Sequence, residues 1–282
     1  CNDIYFIRWN YFTSNRIKRL RLKYMFIPFS FQGTKVSSSF TPADFTGVQY
    51  WWTADAGITE SGGAVSVWRD QINNFDMVQA TGANQPALTT SATLNGENVI
   101  SFNGTTDYLY TTSAPASWTT DLTILSVVNL IDTKTGGTFM GAVVIASGTR
   151  LWLDTVGGNI RSYNQSLPIV GGAASNFESP ATTGAKALKI RYDGTAGDGF
   201  YAIDTLTETS YGTGGDTGTT TMSINSTIAI GATLNNNGGT VFGSRYVEVE
   251  AAEQVWINGT PSLTEMNSWK TYVNNKYGTI IV

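Results

Sequence analysis

The chain has no histidine, a single cysteine, seven prolines and only 13% charged residues. Each shortage excludes something. Without histidine, the Ser-His-Asp and Cys-His mechanisms and the commonest metal ligand are missing, so any chemistry here rests on carboxylates. Cys1 alone can form neither an internal disulfide nor a four-cysteine zinc site. No apolar run reaches the length of about 18 residues that a membrane-spanning helix needs. What is present points the other way: thirty glycines, 12% aromatic residues and threonine in almost every segment favour strands and tight turns. With 282 residues, 41% of them hydrophobic, the chain can bury one large core. The composition predicts an all-β fold.

The net charge of -4 hides an asymmetry. Residues 1–24 carry Arg8, Arg16, Lys18, Arg19, Arg21 and Lys23 against Asp3, a net +5, which leaves -9 on the remainder. An acidic body does not draw nucleic acid through its general field, so no nucleic-acid partner is expected. The basic segment is read as an extension or tether, and 1–24 is set apart from the fold argument as a stretch that need not be native. Met25-Phe-Ile-Pro-Phe-Ser-Phe31 is too short and proline-interrupted to be a secretory h-region. The expected division is an extension and linker over 1–40 and one domain over 41–282.

Within that domain, short apolar or alternating runs are separated by Gly, Asn and Asp clusters, the spacing of an all-β sandwich or barrel. Asn98–Phe102 and Tyr108–Tyr110 flank Asn103-Gly-Thr-Thr-Asp107 and read as a hairpin. Leu122–Ile131 is nearly continuous apolar, as a strand covered on both faces would be. Further strands are expected at 139–145, 150–154 and 160–163, then as a hairpin of 187–192 with 200–203, and at 227–232 and 246–257. A Gly/Thr-rich loop spans 211–221. One helix is signalled at the C-terminus. Ser262-Leu-Thr-Glu265 is a capping box, Met266, Trp269, Val273 and Tyr277 form one apolar stripe, and Gly278 suits the end. About a dozen strands without an internal repeat fit one two-sheet sandwich.

Five segments, in order, resemble one known family: Val48-Gln-Tyr-Trp-Trp-Thr-Ala-Asp-Ala-Gly57, Val67-Trp-Arg-Asp-Gln71, Gln79–Leu88, Val99–Leu109, and Glu253-Gln-Val-Trp-Ile-Asn258 with its following helix. These are similar to the laminin-G-like, concanavalin A-like jelly-roll domains of bacterial surface proteins and phage virion proteins. The resemblance covers roughly residues 41–279. It implies an antiparallel two-sheet jelly roll with one C-terminal helix, displayed on a virion or cell surface. Ile72-Asn-Asn-Phe75 departs from the family's usual Ser-Gly-Asn-Gly, so that loop's conformation is not implied. Met25–Phe31 and Phe40-Thr-Pro-Ala-Asp44 look like the start of phage-encoded members.

Three constellations could carry chemistry. Glu248-Val-Glu-Ala-Ala-Glu253 is close to the Glu-x-Asp-x-x-Glu strand of laminarinase-like glycoside hydrolases, with Glu250 where an Asp belongs. In a regular strand Glu248 and Glu250 share one face and Glu253 points to the other, unless a bulge intervenes. The alternative reading makes Glu253 a hydrogen-bonded structural residue, and it is preferred. Asp70 and Asp76 with Asn73 and Asn74, and Asp193 and Asp198 with Asp204, are turn clusters that could hold calcium, as lectin jelly rolls do, or simply build turns. Trp51, Trp52, Trp118, Trp152 and Tyr163 could offer a sugar a stacking platform, whereas Trp68, Trp256 and Trp269 read as core. Trp118, in a loop after Ala114-Pro-Ala-Ser117, is expected to face solvent, as is one of Trp51 and Trp52.

The expected function is a noncatalytic carbohydrate-binding or adhesion module, acting as a homo-oligomer or multivalent array, because shallow polar sugar sites gain from many copies. A structural virion protein binding other virion proteins is the alternative, and a hydrolase using Glu248 and Glu253 the third.

Overall fold

A computed structural model describes residues 40–118, 121–132, 137–143, 150–156, 159–165, 175–180, 182–193, 198–211, 227–234 and 241–282. The basic extension, the Met25–Phe31 segment and most of the Gly/Thr-rich loop lie outside them. In chain order the strands are β1 (Val48–Thr53), β2 (Ile58–Ser61), β3 (Ala64–Trp68), β4 (Met77–Val78), β5 (Ala87–Ser91), β6 (Glu97–Asn103), β7 (Leu109–Thr111), β8 (Leu122–Leu130), β9 (Gly137–Val143) and β10 (Arg150–Val156). They continue with β11 (Asn159–Gln165), β12 (Ser175–Pro180), β13 (Gly184–Asp193), β14 (Asp198–Ile203), β15 (Thr209–Tyr211), β16 (Ile228–Ile230), β17 (Ala232–Leu234), β18 (Val241–Tyr246) and β19 (Glu248–Asn258), before helix α1 (Leu263–Tyr277).

The pairings are antiparallel and build a two-layer sandwich. In the first layer β15, β14, β13, β8 and β19 lie side by side. β1 and β6 divide the other edge of β19 between them, and β5 follows β6. The second layer runs β2, β3, β4, β7, β16, β9, β10, β11, β12. A single Ala64–Ala87 pairing of β3 with β5 joins the two. The all-β sandwich with one C-terminal helix is therefore the observed fold.

Every residue of β8 is buried because both of its faces are covered. Leu122, Ile124, Val128 and Leu130 enter the core between the layers with Trp52, Trp68, Trp118 and Trp256. Leu125 and Val127 point the other way, into a second core that Met266, Trp269, Val273 and Tyr277 of α1 close from outside. The helix starts where its capping box predicts: Glu265 N donates to Ser262 Oγ at 3.2 Å, and Ser262 N donates back to the Glu265 carboxylate at 2.7 Å. It stops before Gly278, whose φ of +87° few other residues adopt.

One expected hairpin is absent. β6 pairs with β5 and β19, whereas β7 pairs with β4 and β16, so Asn103–Asp107 carries the chain from one layer to the other. The Asn103 side chain organises this crossover by accepting from the amides of Thr105 and Thr106 at 2.8 and 2.9 Å, an Asx turn that an Asn-Gly sequence supports as readily as a hairpin. The 187–192 and 200–203 hairpin does form, as β13 and β14. Gly231 (φ +89°) marks the bend between β16 and β17, and a side chain there would collide with Phe102 and the Asp107 carbonyl.

Candidate functional site

The outer face of the second layer is built by strand alternation. In β7, Leu109 and Thr111 are buried, so Tyr110 stands on the opposite face, half-exposed, with Tyr108 beside it at a ring separation of 6.0 Å. From Tyr110 the register continues strand by strand. Tyr110 pairs with Val78 on one side and Ala229 on the other, Ala229 with Gly141, Gly141 with Trp152, Trp152 with Tyr163, and Tyr163 with Asn176. Directly opposed residues share a face, so this is one cross-strand row. Ala229, in its middle, is only 1% exposed, so the face is covered there, whereas Tyr110 is half-exposed. Leu153 of β10 and Ile160 of β11 are core residues.

At the Tyr110 end the face is edged by Asp107. Its carboxylate accepts from Asn103 Nδ2 at 2.9 Å and Thr106 Oγ1 at 3.0 Å, and burial pushes the carboxyl up against the pull of those donors. Tyr246 lies close enough to Tyr108 and Asp107 to feel both, and burial raises its phenol as well. The result is a cluster of phenols and one carboxyl at a sheet edge, a chemistry that offers flat apolar rings with polar rims.

The sequence-predicted residues divide. Tyr163 takes its place in the row. Trp118 does not face solvent: it is 0% exposed and its ring lies 5.7 Å from that of Trp256 in the inter-sheet core. Proline and serine before it suggested a surface loop, but the loop folds inward, and Ala116 N donates to Tyr50 Oη at 2.8 Å. Trp52 is also fully buried, with its indole N–H on the Phe75 carbonyl. Trp51 is half-buried and spends its indole N–H on Glu253. None of these three offers a free ring face.

Asp70 is 2% exposed, and its two oxygens accept from the amides of Trp51, Ile72, Asn73 and Phe75 at 2.7–3.2 Å. Those four donors occupy the carboxylate that a cation would need. Asp76 accepts from Asp70 N and pairs with Arg69. This network holds Ile72-Asn-Asn-Phe75 in a turn with Asn74 at φ +58°. Asp193 pairs with Arg191 and lies opposite Asp198 across the β13–β14 turn, while Asp204 accepts from Ala187 N at 2.8 Å and pairs with Lys186. Among the described residues no group of three or more His, Cys, Asp or Glu converges as a metal centre.

β19 slips register between Ala251 and Glu253, and this bulge turns Glu253 to the helix side, the face that Glu250 shares through its bond with Asn129. The hydrolase pairing of Glu248 with Glu253 nevertheless fails for a physical reason. Glu253 is 0% exposed and sealed by Trp51 Nε1 at 2.7 Å and by Tyr272 Oη and Tyr277 Oη, both at 2.8 Å. Lys276 Nζ stands 4.0 Å away, on Asp55 at 2.8 Å. Glu253 is a fastening between sheet and helix.

No family model and no curated protein matches the chain. Solved structures with a similar fold include the Trypanosoma rangeli sialidase (13% identity, TM-score 0.44, covering 81% of this chain and 33% of that one). A GH54 arabinofuranosidase aligns over 84% of this chain and 60% of its own at 15% identity and TM-score 0.46. The botulinum neurotoxin serotype D binding domain aligns over 77% and 50% at 10% identity and TM-score 0.45. The chain thus spans about a third of the sialidase. No activity is taken from likenesses this remote. They do withdraw one expectation, that the chain is noncatalytic, because two of the three similar structures are enzymes.

Proposed function

We propose that this chain is a carbohydrate-recognition domain whose binding surface is the Tyr108, Tyr110 and Tyr246 cluster at the edge of the second sheet. The observation that carries this reading is the cluster of half-exposed phenols, with Tyr108 6.0 Å from Tyr110 and Tyr246 near Tyr108 and the Asp107 carboxyl. Sugar rings present C–H faces that pack on aromatic rings and hydroxyl edges that need polar rims. The resemblance to surface and phage jelly rolls supports display on a virion or cell surface in many copies, where avidity compensates for a shallow site. Fold by itself selects no function, so the test is made at the phenol cluster.

The full chain should be retained by at least one member of a panel of bacterial-surface and plant polysaccharides. Tyr110→Ala is expected to weaken that binding about tenfold, on the order of 1.4 kcal/mol, with the melting transition little changed. Repeating the titration after chelation reads out any contribution of calcium at the Asp193–Asp198 turn. A folded sample that ignores every saccharide, yet loses self-association on Tyr110→Ala, would make this face an interface between virion proteins instead.

A further inference from the structure

Resting on that reading, we infer that the phenol cluster is the closed end of a longer platform, and that it reads the end of a linear, uncharged glycan whose next sugars lie across β4 and β3 toward β2. The cross-strand register supplies the platform. Thr59 of β2 pairs with Val67 of β3, Val67 with Val78 of β4, and Val78 with Tyr110 of β7. The adjacent row, Ile58, Trp68, Met77 and Thr111, shows which way these side chains point. Trp68, Met77 and Thr111 are fully buried and Ile58 packs against the inter-sheet core, so the residues beside them in each strand stand on the outer face. The exposures agree. Thr59 is exposed, Val67, Val78 and Tyr110 are partly exposed, and neither valine joins either apolar core.

The two ends of this platform differ. On one side of Tyr110 the next partner is Ala229, which is 1% exposed, so the face is covered there and a glycan cannot run on in that direction. Tyr108, Tyr246 and the Asp107 carboxyl gather at that same end. On the other side the floor continues through Val78 and Val67 to Thr59 on β2, which pairs with β3 and, among the described residues, with no other strand. At ~4.8 Å between strands, Tyr110 and Thr59 are about 14 Å apart. A pyranose ring is about as wide as one strand spacing, so a sugar on the phenols is followed by about three more. The groups able to read hydroxyls, three phenols and a carboxyl, all stand at the closed end. The terminal sugar is oriented there, and the sugars behind it are held by apolar contact with the valine methyl groups. No member of the row from Thr59 to Tyr110 carries a charge, so an acidic sugar would find nothing in it to repay the desolvation of its carboxylate.

The experiment titrates the full chain with neutral gluco- and xylo-oligosaccharides of one to six residues, and with the neutral polysaccharides of the panel before and after limited acid hydrolysis. Affinity should rise about tenfold from one sugar to four and then level off. Hydrolysis that multiplies chain ends about tenfold should lower the half-saturating mass of polysaccharide about tenfold, because the ends are what is read. Val67→Asp should remove the rise with length while leaving binding of the single sugar within about twofold, and Val67→Thr, of the same shape, serves as the second variant should Val67→Asp lose its melting transition. Equal affinity for one sugar and for six, or polysaccharide bound equally well per unit mass before and after hydrolysis, would overturn the inference while the carbohydrate reading stands. Binding to no saccharide of any length would remove both.

Discussion

Replacing Glu253 with alanine is expected to destabilise the domain by about 3–5 kcal/mol, because one change orphans three buried or half-buried donors and a neighbouring cation. Trp51 Nε1, Tyr272 Oη and Tyr277 Oη all end on this carboxylate, and Lys276 is its nearest positive charge. The loss should fall on the helix first. Met266, Trp269, Val273 and Tyr277 pack on the sheet by apolar contact, and the three bonds to Glu253 fix their register against β1 and β19. Chemical denaturation of Glu253→Ala checks the magnitude, and a loss below about 1 kcal/mol would contradict the fastening role. Glu253→Gln should cost less, since an amide keeps one acceptor oxygen.

The same cluster sets a pH dependence. Burial raises the Glu253 carboxyl above its ordinary value of 4.5, against the pull of Lys276 and the three donors. The folded protein therefore holds that proton more tightly than the unfolded chain, and this contribution is full below pH 4.5 and lost as pH rises through the folded value. Burial and the Glu253 charge raise Tyr272 and Tyr277 as well, so their contribution holds up to about pH 10 and is lost above it. Glu265 acts in the opposite sense. Against its slight desolvation, hydrogen bonds from the Ser262 hydroxyl and the Thr46 and Ser262 amides hold it down at about 2, so its contribution is lost as pH falls from 4.5 through about 2. Melting temperature should peak at mildly acidic pH and fall on both sides. In Glu253→Ala the decline that sets in above pH 4.5 should flatten.

Trp118→Ala is expected to cost about 3–5 kcal/mol, the range for deleting a fully buried indole and leaving a cavity. Trp118 touches Trp256 in the centre of the inter-sheet core, and Trp256 is itself opposite Tyr50 and Ile124. Removing one ring of that stack loosens both layers at once. A solvent-facing Trp118 would instead lose less than about 1 kcal/mol on the same change, so equilibrium unfolding separates the two placements cleanly.

These two residues show where sequence reading succeeded and where it stopped. The helix was legible because Ser262, Glu265 and the Met266–Tyr277 stripe are local signals, each within a few residues of its partner. β8 was legible for a similar reason, since nine consecutive buried residues leave a continuous apolar run. Glu253 was foreseen as a structural carboxylate through the family resemblance, but its partners were not, because Trp51 and Tyr277 come from opposite ends of the domain and meet only in the fold. Trp118 misled because a local pattern, Ala-Pro-Ala-Ser before a tryptophan, says loop but not which way the loop turns. Asn103-Gly104 misled likewise: an Asx turn serves a crossover between layers as well as a hairpin within one.

The candidate surface was only partly visible for the same reason. Tyr163 and Trp152 were singled out as possible platforms, and Tyr108-Leu-Tyr110 shows the alternation of a strand with one outward face. What joins them is the cross-strand register through Ala229 and Gly141, two residues with no chemistry of their own. Long-range pairing of β7 with β16, and of β16 with β9, puts residue 110 in line with residue 152.

Hydroxyl-radical footprinting of the full chain, with and without a saturating oligosaccharide that it binds, tests the proposed surface most directly. Oxidation of Tyr108, Tyr110 and Tyr246 should fall together on binding, while Tyr201 and Phe200 on the other layer keep their rates. An oligosaccharide that binds and leaves Tyr108, Tyr110 and Tyr246 oxidised as before would place the glycan elsewhere on the molecule and contradict the account.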